Sequence, residues 1–350
     1  MLGIKYIINS DEYNNALYNN IYKNEDYFIY ENPYALSIAF AVSSQLESVN
    51  FSYYSTPFEL LNEAITAMLG ENDTVMLFKP IQNVNVTTVN ATRSFATHDY
   101  IKYVPADSSE KSSIKYSFTS PTTDEIFFFY PSEYPRKVSL QLNNRDWGTF
   151  FDNETDRIVS LGSYDIDQNV TLSVSLERDD LYLLYDSSYF WYMDSEVFKD
   201  VFTKLNENKF EIDEYSSTYL KGKIKVDKNN DLLFTSIPYD EGWHIICDGE
   251  ELSPIKTCDS LIAAQINEGE HTLELVYSPK CFKQGLIVSI TGAVVFVLII
   301  FLDIFIKAKR KKRKQKIKQV LDDFYNNFNL PDTEKNTEEP KNTDDTAKNE

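Results

Sequence analysis

The 350-residue chain carries 34 basic and 54 acidic side chains, a formal net charge of −20. Residues 1 to 284 hold 22 of the basic and 44 of the acidic groups, a surface that repels nucleic acid and excludes DNA or RNA as a partner. Three cysteines are too few for a disulfide framework, and the spacing of those cysteines and three histidines draws no metal-ligand set.

The first ten residues, Met1-Leu-Gly-Ile-Lys-Tyr-Ile-Ile-Asn-Ser10, contain no apolar run of signal-peptide length, so export of residues 1–284 is expected to depend on something else. Residues 1–74 read as a mixed α/β region. Thr56-Pro57-Phe58-Glu59 supplies a cap hydroxyl, a proline at the first helical position and a carboxylate at the third. Phe58, Leu61, Ile65 and Met68 then form one apolar stripe, and Gly70 marks the stop.

Residues 75–182 read as a β-sandwich-like domain. Polar residues alternate with Val138, Leu140 and Leu142, and again with Val170, Leu172, Val174 and Leu176. Ile126-Phe-Phe-Phe-Tyr130 is continuously apolar, as a strand covered on both faces would be. Residues 183–282 read as a C-terminal β domain with one helix at about 194–205, where Val197, Val201 and Leu205 recur at fourfold spacing. Asp248-Gly249 and Glu268-Gly269 mark hairpin turns, Leu273, Leu275 and Tyr277 alternate in the last strand, and Pro279 ends it. Cys247 and Cys258 either pair across a hairpin or remain free thiols.

Residues 285–306 are uncharged apart from Asp303, and at ~1.5 Å per helical residue they reach about 33 Å, enough for a hydrocarbon core of roughly 30 Å. Asp303 can pair with Lys307 one turn on. Residues 307–350 form a basic and then disordered tail. Its first part includes Lys307, Lys309, Arg310, Lys311, Lys312, Arg313 and Lys314, a topology signal that holds this end in the cytoplasm and suits contact with anionic lipid. Residues 319–328 can prolong the helix briefly, and the polar stretch from Pro331 to Glu350 cannot build a core. The expected fold class is therefore mainly β, with extracytoplasmic β-sandwich-like domains, a few packed helices, one C-terminal transmembrane helix and a disordered tail. The bilayer is the first partner, and the N-terminal region faces outward.

Candidate chemistry is sparse. Tyr239, Asp240 and Trp243 lie in Pro238-Tyr-Asp-Glu-Gly-Trp243-His244, where aromatic rings can stack on sugar faces and a carboxylate can bind hydroxyls. The same residues can equally make a structural turn whose tryptophan anchors a sheet. Acidic pairs such as Asp179-Asp180 and Asp322-Asp323 are expected by chance among 54 carboxylates. No catalytic residue, cofactor site or metal site is assigned. Tyr189-Phe-Trp-Tyr192 reads as alternating core.

Several segments resemble the bacterial YfhO family of membrane proteins: Leu2-Gly-Ile-Lys-Tyr-Ile-Ile8, Tyr30-Glu-Asn-Pro33 with Leu36, Pro57-Phe58-Glu59, Phe234 to Trp243, Asp248-Gly249, Glu268-Gly-Glu-His271 and Val276-Tyr-Ser-Pro279. The resemblance implies the C-terminal portion of a long polytopic protein similar to lipid-linked-sugar glycosyltransferases of the multi-helix C type. It further implies a role in decorating cell-wall polymers such as teichoic acids from an undecaprenyl-phosphate sugar. In such folds the catalytic carboxylate lies among N-terminal helices that this chain lacks, so none is carried over, and whether the chain is itself an enzyme stays open. The implied partners are upstream transmembrane helices and a wall polymer or lipid-linked sugar. The alternative is a freestanding membrane-anchored structural, adhesion or carbohydrate-binding module.

Overall fold

The computed structural model describes residues 3–10, 12, 17–52, 56–95, 100–130, 132, 135, 137–152, 157–176, 181–184 and 188–327. Asp179-Asp180 and the tail from Pro331 lie outside the described residues. The chain forms two compact units, Met1–Pro279 and Lys280–Glu350. The first is mainly β, as the alternation of apolar residues predicts, with every named strand pairing antiparallel.

Two of its sheets make a sandwich. One, in spatial order, is Ile158–Gly162, Ile126–Phe129, Phe190–Met193 and Phe78–Pro80; the other is Arg145–Phe150, Val138–Leu142, Asn169–Leu176, Ser112–Thr119 and Asn85–Val89. Period-two side chains point inward from both: Val138, Leu140, Val170, Leu172 and Val174 from one sheet meet Ile126, Phe128 and Phe190 from the other. The continuous apolar run at 126–130 is covered on both faces, because Phe129 turns the other way to pack with Phe58 and Trp191. Residues 189–192 behave alike. Phe190 enters the sandwich core and Trp191 the second cluster, with rings of Phe58 and Trp191 stacked 5.2 Å apart.

A second layered body surrounds the sheet Ile255–Thr257, Leu261–Gln265, Leu232–Pro238 and Ala39–Val42. Phe40, Val42, Leu232 and Phe234 face helices α1 (Pro57–Leu69) and α2 (Ser195–Glu207), whereas Ala39, Ala41 and Leu233 face the opposite way. That opposite face packs on the five-stranded sheet Phe210–Ser216, Tyr219–Val226, Gly269–Tyr277, Trp243–Cys247 and Glu250–Leu252 through Ile224, Val226, Ile245, Leu273 and Leu275. Strand exchange crosses both internal boundaries drawn from the sequence: Ala39–Val42 pairs with Leu232–Thr235, and Phe78–Pro80 pairs with Trp191–Met193.

The caps form as the residue types dictate. Thr56 Oγ1 accepts from Glu59 N at 3.2 Å, Glu59 Oε2 accepts from Thr56 N at 3.2 Å, and Gly70 ends α1 in the left-handed conformation at φ 67°. α2 begins one residue after Asp194, whose carboxylate accepts from the amides of Glu196 and Val197. In the second unit, α3 runs unbroken from Phe282 to Asn327, and its segment from Gln284 is long and apolar enough to cross a bilayer. Lys307 and Asp303 pair at 2.7 Å, one turn apart.

Candidate functional site

The segment 238–244 folds as a tight connection between the strands ending at Pro238 and starting at Trp243. Asp240 Oδ1 accepts from Gly242 N at 2.7 Å, and Asp240 O accepts from Trp243 N at 3.2 Å, so the Asp240 side chain is committed to the turn. Gly242 leaves no room for a side chain: a Cβ there would lie 2.9 Å from the Tyr277 ring and 3.1 Å from Ser278 O. Trp243 packs beside Tyr277, ring centroids 5.0 Å apart, at the edge of the cluster that includes Ile245 and Leu275. Tyr239 keeps 40% of its surface exposed and is pinned through its backbone N–H to Ser260 O at 2.8 Å. The three sequence-selected residues thus share one rigid turn, with Tyr239 presented, Asp240 structural and Trp243 half-buried.

A second arrangement escaped sequence reading. The strand Trp243–Cys247 pairs with Gly269–Tyr277, Cys247 opposite Leu273, and the Asp248-Gly249 turn, with positive φ at both residues, keeps Asp248 beside Thr272 of that partner strand. Asp248 N donates to Thr272 O at 2.9 Å, and Asp248 Oδ1 accepts from Thr272 N at 2.8 Å. Asp248 Oδ2 lies 2.7 Å from His271 Nδ1, and His271 Nε2 lies 2.9 Å from the carbonyl oxygen of Asn267. One ligand atom each of Cys247, Asp248 and His271 falls within 4.8 Å of the others. Hydrogen bonds from His271 and the Thr272 amide hold the Asp248 carboxyl below the usual carboxylate range. Burial pushes the Cys247 thiol up to about 11, with Asp248 adding to the shift. Both Cys247 and Cys258 are free thiols, and Cys258 is likewise raised by burial. The signal that finds the cluster is strand pairing, since Asp248 and His271 stand 23 residues apart.

His271 and Asp248 border an open polar cleft of about 490 Å³, also lined by Lys209, Lys223, Lys225 and Glu270. Lys225 pairs with Asp227 at 2.9 Å and Lys209 with Glu211 at 3.7 Å. In the second unit, Lys307, Lys309, Arg310, Lys311, Lys312, Arg313 and Lys314 are all exposed on α3, and Lys307, Arg310, Lys311, Lys314 and Lys318 follow one side at spacings of three and four.

A family model described as bacterial membrane protein YfhO matches residues 1–289. No protein in the curated set matches the chain. Among solved structures, an active-site mutant of a family two carbohydrate esterase from Clostridium thermocellum is similar at 13% identity and a TM-score of 0.23, over 32% of this chain and 33% of that one. A GH26-CBM35 β-(1,4)-mannanase from Podospora anserina is similar at 14% identity and a TM-score of 0.23, over 33% of this chain and 27% of that one. A β-glucuronidase from Ruminococcus gnavus is similar at 8% identity and a TM-score of 0.22, over 58% of this chain and 45% of that one. The chain therefore spans about a third of the length of the esterase it matches.

Proposed function

Because the chain belongs to the YfhO family of bacterial membrane proteins, we propose that residues 1–284 form the extracytoplasmic domain of a membrane machine that glycosylates cell-wall polymers such as teichoic acids. The observation that carries this reading is the family match itself, which runs through the whole β unit and ends inside the apolar segment of α3. The domain works beside upstream transmembrane helices that supply the catalytic carboxylate and hold the lipid-linked sugar. Its own task is to bind the polymer or sugar above the bilayer. Tyr239 supports this role as an exposed ring on a turn fixed by Asp240, Gly242 and Trp243, a preformed stacking surface with little ordering cost. The basic ridge from Lys307 to Lys314 faces the cytoplasm and meets anionic headgroups there.

The test is chemical analysis of the wall polymer from cells whose full-length protein carries Tyr239→Ala, beside cells in which residues 1–284 are deleted. Both changes should lower the sugar content of the polymer, and unchanged content in the deletion strain refutes the proposal. Orientation is read separately from Cys281, an exposed thiol just before the span. A membrane-impermeant maleimide should label it on intact cells; labelling only after lysis reverses the topology.

A further inference from the structure

We propose that Cys247, Asp248 and His271 form a binding site for a soft divalent cation of the zinc class, set at the edge of the polar cleft. The hydrogen bond from His271 to Asn267 decides which ring nitrogen can bind a metal. The Asn267 carbonyl oxygen accepts but cannot donate, so the His271 Nε2 facing it at 2.9 Å carries the hydrogen. His271 Nδ1 is then the nitrogen that can turn its electron pair to a cation, in place of the hydrogen bond it makes to Asp248 Oδ2 at 2.7 Å. At 2.7 Å the two atoms share a proton, and a metal ion binds here by displacing it. A ligating histidine that donates its other N–H to a backbone carbonyl is the usual outer partner arrangement of protein metal sites.

The remaining ligand decides which metal. A thiol, an imidazole and a carboxylate suit zinc better than calcium or magnesium, which take oxygen donors alone. With metal bonds of about 2.0 Å to N and O and 2.3 Å to S, ligand atoms in a tetrahedral site sit roughly 3.3–3.6 Å apart. The Asp248 and His271 atoms must open by about half an ångström, and the thiol must approach from within 4.8 Å. Asp248 can make this adjustment because its side chain is 53% exposed on a hairpin turn, whereas His271 is 15% exposed and held by Asn267. Binding replaces the Cys247 S–H bond with a sulfur–metal bond and displaces the proton shared by His271 Nδ1 and Asp248 Oδ2, and both protons pass to solvent. A zinc site with three protein ligands keeps a fourth position for water or an anionic ligand, and two of the three residues, Asp248 and His271, line the cleft.

The experiment uses the full chain in detergent, purified with a tag free of histidine, and titrated with Co²⁺ as a spectroscopic stand-in for zinc. One equivalent should bind with a thiolate-to-cobalt charge-transfer absorption, and one equivalent of Zn²⁺ should abolish it. Cys247→Val keeps an apolar group of similar size in the core and should remove the band, while Cys258→Ser and Cys281→Ser should keep it. His271→Gln and Asp248→Asn should each weaken binding by about tenfold or more. A chain that takes up neither ion overturns the proposal, and so does a charge-transfer band that survives Cys247→Val. Failure here leaves the glycosylation reading untouched, because that reading is tested by polymer sugar content.

Discussion

Asp194 joins the start of α2 to the strand Phe78–Pro80 through one side chain, and its replacement has a calculable cost. Oδ1 accepts from the amides of Glu196 and Val197, both at 3.1 Å, and Oδ2 lies 2.6 Å from Lys79 Nζ on the strand Phe78–Pro80. Asp194→Ala removes a helix cap, worth about 1 kcal/mol, and a partly exposed ion pair, worth about 0.5–1 kcal/mol, for a total of roughly 2 kcal/mol. Asp194→Asn keeps an oxygen for the cap and loses only the pair. Thermal melting of the full chain in detergent should show a Tm lower by about 4 °C for alanine and by half that or less for asparagine. Burial acts to raise the Asp194 carboxyl, but Lys79 and the two cap amides outweigh it and hold the group below its ordinary value. Its contribution is therefore complete above the unfolded carboxylate value of about 3.9 and fades as pH falls through the lower folded value. The difference between the native chain and Asp194→Asn should shrink below about pH 4. Equal Tm losses for the two variants would refute the division between cap and pair, and a difference that persists at low pH would refute the electrostatic argument.

Other outcomes rest on single contacts. Asn62 is 3% exposed on α1 and serves the edge strand as a partner strand would, donating to Phe78 O and accepting from Phe78 N, both at 2.8 Å. Asn62→Leu leaves both backbone groups unpaired and should cost roughly 2–4 kcal/mol in denaturant unfolding. Gly222 lies so close to the Glu211 carbonyl that a Cβ would fall 1.9 Å from its oxygen, so Gly222→Ala should cost about 3 kcal/mol or more and break the bulged register between Ile212 and Glu214. A melt indistinguishable from the native chain would refute that reading. The buried hydroxyls of Tyr116 and Tyr130 approach each other without closing a well-formed hydrogen bond, so Tyr116→Phe and Tyr130→Phe should each be neutral or stabilising by up to about 1 kcal/mol in the same measurement.

Local rules were legible in the residues themselves. The Thr56 to Glu59 cap, the glycine stop at 70, the period-two strands and the apolar segment from 285 all depend on neighbours within one or two turns, and they appear where the sequence puts them. The turn at 238–244 was legible too, since Pro238, Asp240 and Gly242 encode it. Whether Asp240 points outward was not, because that depends on which acceptor the Gly242 amide meets.

Sequence alone, then, determined the β-rich class, the capped starts of α1 and α2, the membrane-competent segment and the family, all of which rest on local periodicity and motif order. Tertiary structure decided that residues 39–42 complete a sheet with residues 232–235, that Asn62 stands in for a missing strand, and that Cys247 and Asp248 meet His271. Such contacts depend on strand pairing over long separations, and a register shift of one residue would place the same side chains on the opposite face.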